Sequence, residues 1–394
     1  MRLITYVIGV VVLCGIPDAI LFRLFYKWKN KTLIRLQWIS MALFLAVFAY
    51  AMVAIRFTVS MIPMLAFGFV FFLIYLPKWF FWPFALAGHL KIGSIFAAIA
   101  ACLILYGTIY GRRDIVTRQI DIYSDKIPES FDGYRIAMFS DIHLGSLSKT
   151  SKWINALPDS ISKNNPDIVL FTGDLVNMYA KETNGWDNMF LRINAPDGKY
   201  GVMGNHDYSV YLKNRSIKAD SAINTDNIRN AFNRFGFTLL NDKNIFLRRG
   251  NDSIALIGTE NIGNPPFPVI GNIDEALSGT ENTKCKIMMT HDPNIWDDII
   301  VDKRNVLLTL SGHSHALQMG FDHLGIHWSP AQFIHEYWDG PYQKKDQILF
   351  VNRGMGYVGY PFRIGMKPEI TLIILHPSKK HGTSYKLIKN QRKP

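Results

Sequence analysis

The first 111 residues constrain this chain most, because apolar runs follow one another there with few charges between them. A helix needs about 20 mostly apolar residues to cross a bilayer. Four stretches approach that length: Leu3 to Phe25, Leu33 to Ile55, Met61 to Leu76 and Ala85 to Tyr110. The first is too long and too interrupted for a cleaved signal peptide, and three more follow it. So much consecutive apolar length is hard to bury in a water-soluble core. The expectation is a membrane unit of about four helices over residues 1–111, with a lipid bilayer as its partner, and a globular domain over residues 112–394. Trp28, Trp38, Trp79 and Trp82 fall where interface anchors belong.

Charge divides along the same line. Up to Gly111 there are nine Lys and Arg against the single acid Asp18, a large part of the +12 carried by the whole chain. The high isoelectric point therefore reflects the flanks of membrane segments, and no nucleic-acid partner is expected. With four spans, the odd-numbered loops hold seven bases (Arg23, Lys27, Lys29, Lys31, Arg35, Lys78, Lys91) and the opposite face five (Arg2, Arg56, Arg112, Arg113, Arg118). That asymmetry places the globular domain outside the cytoplasm. Asp18, inside the first run, is a functional candidate by position, although Arg23 lies close enough for a structural placement near the interface. The three cysteines, Cys14, Cys102 and Cys285, make neither a disulfide framework nor a thiolate zinc site.

Beyond Tyr134, short β-type runs recur and each ends in side chains able to bind metal. Tyr134 to Phe139 leads to Asp141 and His143, and Asp167 to Phe171 to Asp174. Tyr200 to Met203 leads to Asn205, His206 and Asp207. Cys285 to Met289 leads to His291, and Val306 to Leu310 to His313 and His315. Sheets of α/β domains carry their sites at the carboxyl ends of strands. Between the first two runs, Trp153, Ile154, Leu157 and Ile161 share one helical face.

Asp141, His143, Asp174, Asn205, His291, His313 and His315 combine imidazole, carboxylate and amide donors with no thiolate. That set suits divalent Mn, Fe or Zn. It is too many ligands for one tetrahedral ion, and it fits two ions about 3.5–4 Å apart that share a carboxylate. One such strand end alone is usually a turn former; five in one domain are not.

These blocks resemble the calcineurin-like metallophosphoesterase family, whose pattern runs D-x-H, G-D, G-N-H-D/E, a lone H, then G-H-x-H. All five occur here in order: Asp141-Ile142-His143, Gly173-Asp174, Gly204-Asn205-His206-Asp207, His291 and Gly312-His313-Ser314-His315. Ala195 to Tyr200, Arg353 to Gly356, Pro361-Phe362-Arg363 and Pro368-Glu369 are similar to a membrane-associated bacterial branch with several N-terminal spans. The resemblance covers roughly residues 115–375. It implies a β-sandwich flanked by helices, so the fold expected overall is an α-helical transmembrane N-terminus joined to an α/β metallophosphoesterase domain. It implies one metal on Asp141, His143 and His315 and another on Asn205, His291 and His313, with Asp174 bridging. His206 then faces the scissile phosphate as a catalytic residue, and a hydroxide held by the metals attacks phosphorus. The chain departs from the pattern twice. Asn177 stands where some relatives carry an acid that orients the catalytic histidine, which leaves either Asp207 to do the orienting or His206 less strongly polarised. Ala316-Leu317 replaces a common Gly-Gly pair.

The expected activity is hydrolysis of a phosphate ester or pyrophosphate, on a phosphorylated small molecule or a lipid-linked substrate. Two rival classes are a metal-free scaffold on the same fold and a regulatory domain of a transporter. The first expects decay of the ligand set, and none of the seven positions is lost. The second expects intramembrane polar residues beyond Asp18. Asn261 to Ile273 and the aromatic-rich Trp328 to Tyr342 are candidate substrate-facing segments. His323, His327 and His335 lie near the last block but are not assigned as ligands.

Overall fold

The computed structural model describes residues 9, 11–58, 60–212, 220–265 and 267–388. Within them the chain forms two compact units: one runs to Gly111 and also takes in Gly359–Ile364, and the other takes Arg112–Val358 and the chain from Gly365.

In the first unit a π turn at Val11–Gly15 leads into α1 (Ile16–Lys27). Then follow α2 (Lys31–Phe57), α3 (Ile62–Leu86) and α4 (Leu90–Ile109). Among the described residues, three helices are long and apolar enough to cross a membrane: Lys31–Phe57, Ile62–Leu86 and Leu90–Arg113. The expected first span falls partly on Leu3 to Ile8 and Val10, which lie outside the described residues, as does Arg2. The turn into α2 is closed by Asn30, whose side chain accepts the N–H of Leu33 at 3.0 Å.

The third and fourth spans depart from expectation. The third does not stop before Pro77; α3 continues through Pro77 and Pro83, since apolar helices tolerate internal proline where other groups satisfy the freed carbonyls. It ends instead at Leu86, just before Gly88, whose φ of +81° suits glycine. There the N–H of His89 reaches the carbonyl of Phe84, closing the last turn. The fourth span consequently begins at Leu90 rather than Ala85. Lys78, expected in a loop, sits inside α3 and donates to Asp18 at 2.7 Å. Gln37 and Tyr75 donate to the same carboxylate at 2.6 and 3.0 Å. Asp18 is thus a buried tie among α1, α2 and α3.

Gly359–Ile364 packs within this helical unit. The ring of Phe72 lies 4.8 Å from that of Tyr360 and 5.0 Å from that of Phe362. The N–H of Arg363 donates to the carbonyl of Gly107 at 3.2 Å. The approach needs glycine, because a Cβ at Gly68 would overlap the carbonyl of Gly359.

The second unit is a two-sheet sandwich. The first sheet runs, in spatial order, β15 (Thr383–Ile388), β1 (Val116–Ser124), β14 (Glu369–Pro377), β2 (Tyr134–Phe139), β3 (Ile168–Phe171), β4 (Lys199–Gly201) and β5 (Thr238–Leu239). The second runs β12 (Gly340–Lys344), β13 (Gln347–Val351), β9 (Leu308–Ser311), β8 (Lys286–Met289), β7 (Asp252–Gly258) and β6 (Lys243–Arg249). A separate hairpin pairs β10 (Phe321–His323) with β11 (Ile326–Trp328). Strands β2, β3 and β4 are parallel, as are β7, β8 and β9.

Period-two alternation sorts the side chains into layers. Ile136, Met138, Ile168 and Leu170 face the second sheet, packing with Leu256, Ile287 and Leu308. Ala137, Phe139, Val169 and Phe171 face the other way, onto Ile154, Leu157, Phe190 and Phe232. Burial on both faces is why these strands read as unbroken apolar runs. The outer face of the second sheet is covered by Trp296 and Ile300. The expected β-sandwich flanked by helices is what forms, and its parallel strands send their carboxyl ends to one rim.

Candidate metal centre

That rim brings six of the seven expected ligand residues together. The loops after β2, β3, β8 and β9 carry Asp141 and His143, Asp174, His291, and His313 and His315. Asp141, His143 and His315 form one group whose donor atoms lie within 4.8 Å of one another, and Asp174, His291 and His313 form another. Asp174 also groups with His143 and His206, so it stands between the two sets. Its Oδ2 is 3.2 Å from His291 Nε2 and 3.6 Å from His143 Nε2. His315 Nε2 lies 3.4 Å from Asp141 and 3.0 Å from His143 Nε2. His313 Nδ1 is 3.2 Å from His291 Nε2.

The backbone is bent to achieve this. Asp141, His143, Asp174, His313 and His315 all have φ between 48° and 73°. Left-handed backbone costs such residues roughly 1–2 kcal/mol each and concentrates at functional sites. Ala316 and Leu317 continue it at 47° and 44°, where glycine would carry no such cost. The motif glycines admit close approach: a Cβ at Gly204 would overlap Asp174 Oδ1, and one at Gly312 would overlap Asp141 Oδ2.

The outer nitrogens of the ring are anchored on carbonyls. His291 Nδ1 lies 2.8 Å from the oxygen of Thr172, and His143 Nδ1 3.2 Å from that of Val176. With Nδ1–H donating outward, a neutral ring turns its Nε2 lone pair to the centre, the arrangement of metal-binding histidines. Burial holds His143 neutral, with its pKa lowered to about 3. Burial alone would raise Asp174, but His291, His206 and His143 pull it well below the carboxylate range. Burial opposes charge on His291 as well, yet Asp174 and Asp141 raise it to about 10. Asp174 and Asp141 thus bring buried negative charge to His291, charge that a divalent cation would satisfy. Two buried polar atoms, Asn205 Oδ1 and His313 Nε2, have no hydrogen-bond partner. The donor set therefore fits divalent metal.

The two residues expected to be catalytic separate. His206 is half-buried; its N–H donates to Asp174 Oδ1 at 2.9 Å and its Nδ1 lies 2.7 Å from the carbonyl oxygen of Asn177. Asp207 faces away from that ring. Its carboxylate accepts the N–H groups of Asp174, Leu175, Val176 and Gly204 at 3.0–3.1 Å. The expectation that Asp207 orients His206 is thus corrected: position 177 does so, through its main chain. Asp207 holds the loop that carries Asp174.

Glu182 escaped the sequence reading. Its carboxylate accepts from Gly145 (3.1 Å), Asn177 (2.6 Å), Met178 (3.0 Å) and Tyr179 (3.0 Å), joining the loop after His143 to the loop that orients His206. The signal was the spacing of three from Tyr179 to Glu182, a helix-start pattern usually sought behind Ser or Thr. Phe267 packs edge-on against His313 at 4.5 Å, from within one proposed substrate-facing segment. His335, from the other, meets the same ring at 5.5 Å.

Residues 134–317 match the family model described as calcineurin-like phosphoesterase. The chain is 28% identical over 293 residues to the protein named "Uncharacterized metallophosphoesterase YkuE" of Bacillus subtilis, covering 72% of this chain and 95% of that one. It is 26% identical over 281 residues to a zebrafish (Danio rerio) protein named "Transmembrane protein with metallophosphoesterase domain", covering 70% of this chain but only 61% of that relative's length. To "UDP-2,3-diacylglucosamine pyrophosphatase LpxG" of Chlamydia trachomatis it is 27% identical over 292 residues, covering 63% of this chain and 86% of that protein. The fold, the ligand clusters and these matches agree: residues 134–317 are similar to calcineurin-like phosphoesterases, in a chain whose apolar helices and transmembrane-named relatives support membrane association.

Proposed function

We propose that this chain is a membrane-anchored, two-metal phosphoesterase acting on a phosphate ester or pyrophosphate of a lipid-linked substrate. Asp141, His143 and His315 would hold one ion, Asn205, His291 and His313 the second, and Asp174 both. Mn, Fe and Zn suit these donors. When bound, such a pair supplies positive charge for phosphoryl oxygens and a water acidic enough to attack. The chain's own residues do the rest. As imidazolium, His206 donates Nδ1–H to the carbonyl of Asn177 and offers Nε2–H to the leaving oxygen. Asp207 and the backbone N–H groups it binds keep Asp174 in place.

The observation that carries the reading is Asp174 lying between two imidazole sets, with Asn205 Oδ1 and His313 Nε2 left unpaired beside it. The lipid-linked substrate draws support from the apolar helices on the same chain and from the diacyl substrate in the Chlamydia relative's name. An active site outside the cytoplasm is supported by Arg23, Lys27, Lys29, Lys31 and Arg35, which cluster around the turn from α1 to α2, three spans before the domain.

The test is Asp174→Asn in the full chain, with metal content and turnover measured on a soluble phosphodiester and on lipid-linked pyrophosphate in nanodiscs. The variant is expected to stay folded, lose metal and lose turnover by about three orders of magnitude or more. Near-normal turnover would rule out the bridging role. Wild-type turnover of the soluble ester alone would rule out the lipid substrate.

A further inference from the structure

We propose that the β10–β11 hairpin and the turn after it form a second membrane contact, entering the headgroup region of a bilayer independently of the helices. The hairpin pairs Phe321 with Trp328, Asp322 with His327 and His323 with Ile326. Alternation therefore puts Phe321, His323, Ile326 and Trp328 on one face and Asp322 and His327 on the other. In water the first set should face the protein. The opposite holds. Asp322 pairs with buried Arg353 at 2.5 Å, and His327 Nε2 lies 3.2 Å from buried Asp339. The His327 ring also stacks on that of Trp338, with centroids 4.4 Å apart.

These contacts fix the register, and a slip of one residue would exchange the faces. Phe321, Ile326 and Trp328 are accordingly exposed, and Leu324 at the tip is 94% exposed. In the following turn Phe333 and Ile334 are 78% and 68% exposed. Isolated exposed apolar side chains are ordinary, but six within fourteen residues form a patch that calls for a partner.

The chain's own continuity names that partner. Gly365 packs so closely on Gly320, at the root of the hairpin, that a Cβ there would overlap the Gly320 carbonyl. Met366 is buried with Ala316 and Ala331, which brace the turn. Gly365 follows Ile364 directly, and Gly359–Ile364 is the segment packed within the helical unit. The root of the patch, Gly320, is thus in contact with the residue that directly follows a segment packed among apolar helices. A lipid surface is the apolar medium this connectivity brings to it, and Trp328 is the residue type that settles at such interfaces. Nothing in the inference depends on hydrolysis.

Depth-dependent quenching tests it in full-length protein in phosphatidylcholine–phosphatidylglycerol nanodiscs. Cys14 and Cys285 are buried, so Cys102→Ser clears the one exposed thiol. Leu324→Cys, Phe333→Cys and, as a control, Ile223→Cys each receive an environment-sensitive fluorophore. Ile223 is an exposed apolar side chain on the helix Ser221–Arg234, outside the patch. Emission from positions 324 and 333 is expected to shift to the blue and to be lost when shallow nitroxide lipids are added, with position 223 unchanged. Two patch positions guard against one variant failing to fold. Equal emission and quenching at all three positions would overturn the proposal. So would a blue shift seen only in discs holding two copies, which would mark a contact between chains.

Discussion

Among the described residues of the second unit, two places gather carboxylates and imidazole within metal-binding reach: Asp141, His143 and His315 at the rim, and Asp322, His327 and Asp339 beside the hairpin. Their chemistry differs in one respect. In the second, guanidinium groups already neutralise the acids. Arg353 grips Asp339 with two nitrogens at 2.8 and 2.7 Å, and Arg118 reaches Asp339 and Glu369 at 2.7 and 2.8 Å. Among the described residues, the charged partners of Asp141 and Asp174 are imidazoles only. Residue type does not make a metal centre; buried negative charge left without a protein cation does. Left-handed backbone at Asp141, His143 and His315 accompanies the first cluster, while the second holds its pairs in a closed network.

The largest effect expected from breaking that contrast is Arg353→Ala. It leaves Asp339 and Asp322 buried or half-buried without their fork, and removing one partner of a buried pair costs about 3–5 kcal/mol. Thermal unfolding of the full chain should show a correspondingly lower midpoint. A loss of under about 1 kcal/mol would mean the network contributes little, as pairs near water do. If the variant instead folds and takes up one more divalent cation than wild type, the arginine is what keeps metal from this cluster.

Metal removal should act on the rim alone. A ligand present at 100–1,000 times its dissociation constant stabilises the folded state by about 2.7–4.1 kcal/mol. A chelator should therefore lower the unfolding midpoint of wild type and leave Asp174→Asn almost unmoved. Equal shifts in both proteins would place the stabilising metal elsewhere.

The chemistry of the rim was legible because side-chain type and spacing survive in sequence. Asp141-Ile142-His143 and Gly312-His313-Ser314-His315 announce ligands whatever the backbone does between them. Individual strands were legible in part, through apolar runs such as Ile168 to Phe171, while the sandwich came only with the resemblance. What stayed hidden depends on contacts between distant segments. Left-handed backbone at His143 or His315 has no local signal, since glycine is the residue that usually marks it. The hairpin alternation of Phe321, His323, Ile326 and Trp328 reads as an ordinary buried face until Asp322 and His327 are seen paired inward. Pro77 reads as a stop, and only a helix packed among others can pass through it. Gly359–Ile364 looks like loop until Gly68 and Gly107 admit its backbone.

A third class of carboxylate sharpens the contrast. Asp207 and Glu182 are neutralised by neither metal nor guanidinium but bind main-chain N–H groups, and so hold loops in position. Glu182→Gln tests this with the smallest expected effect. Oε1 serves Met178 and Tyr179 while Oε2 serves Gly145 and Asn177, so an amide group on either side turns two accepting contacts into donor against donor. Losing such contacts costs about 1–3 kcal/mol. If half of that falls on the orientation of the Asn177 carbonyl, and through it on His206, kcat should drop by about two- to tenfold. KM and metal content should hold, because the ligand side chains are untouched. A role in folding alone would lower the unfolding midpoint and leave kcat where it was. A loss of metal equal to that of Asp174→Asn would move Glu182 from positioning the imidazole to supporting the ligand loop at His143.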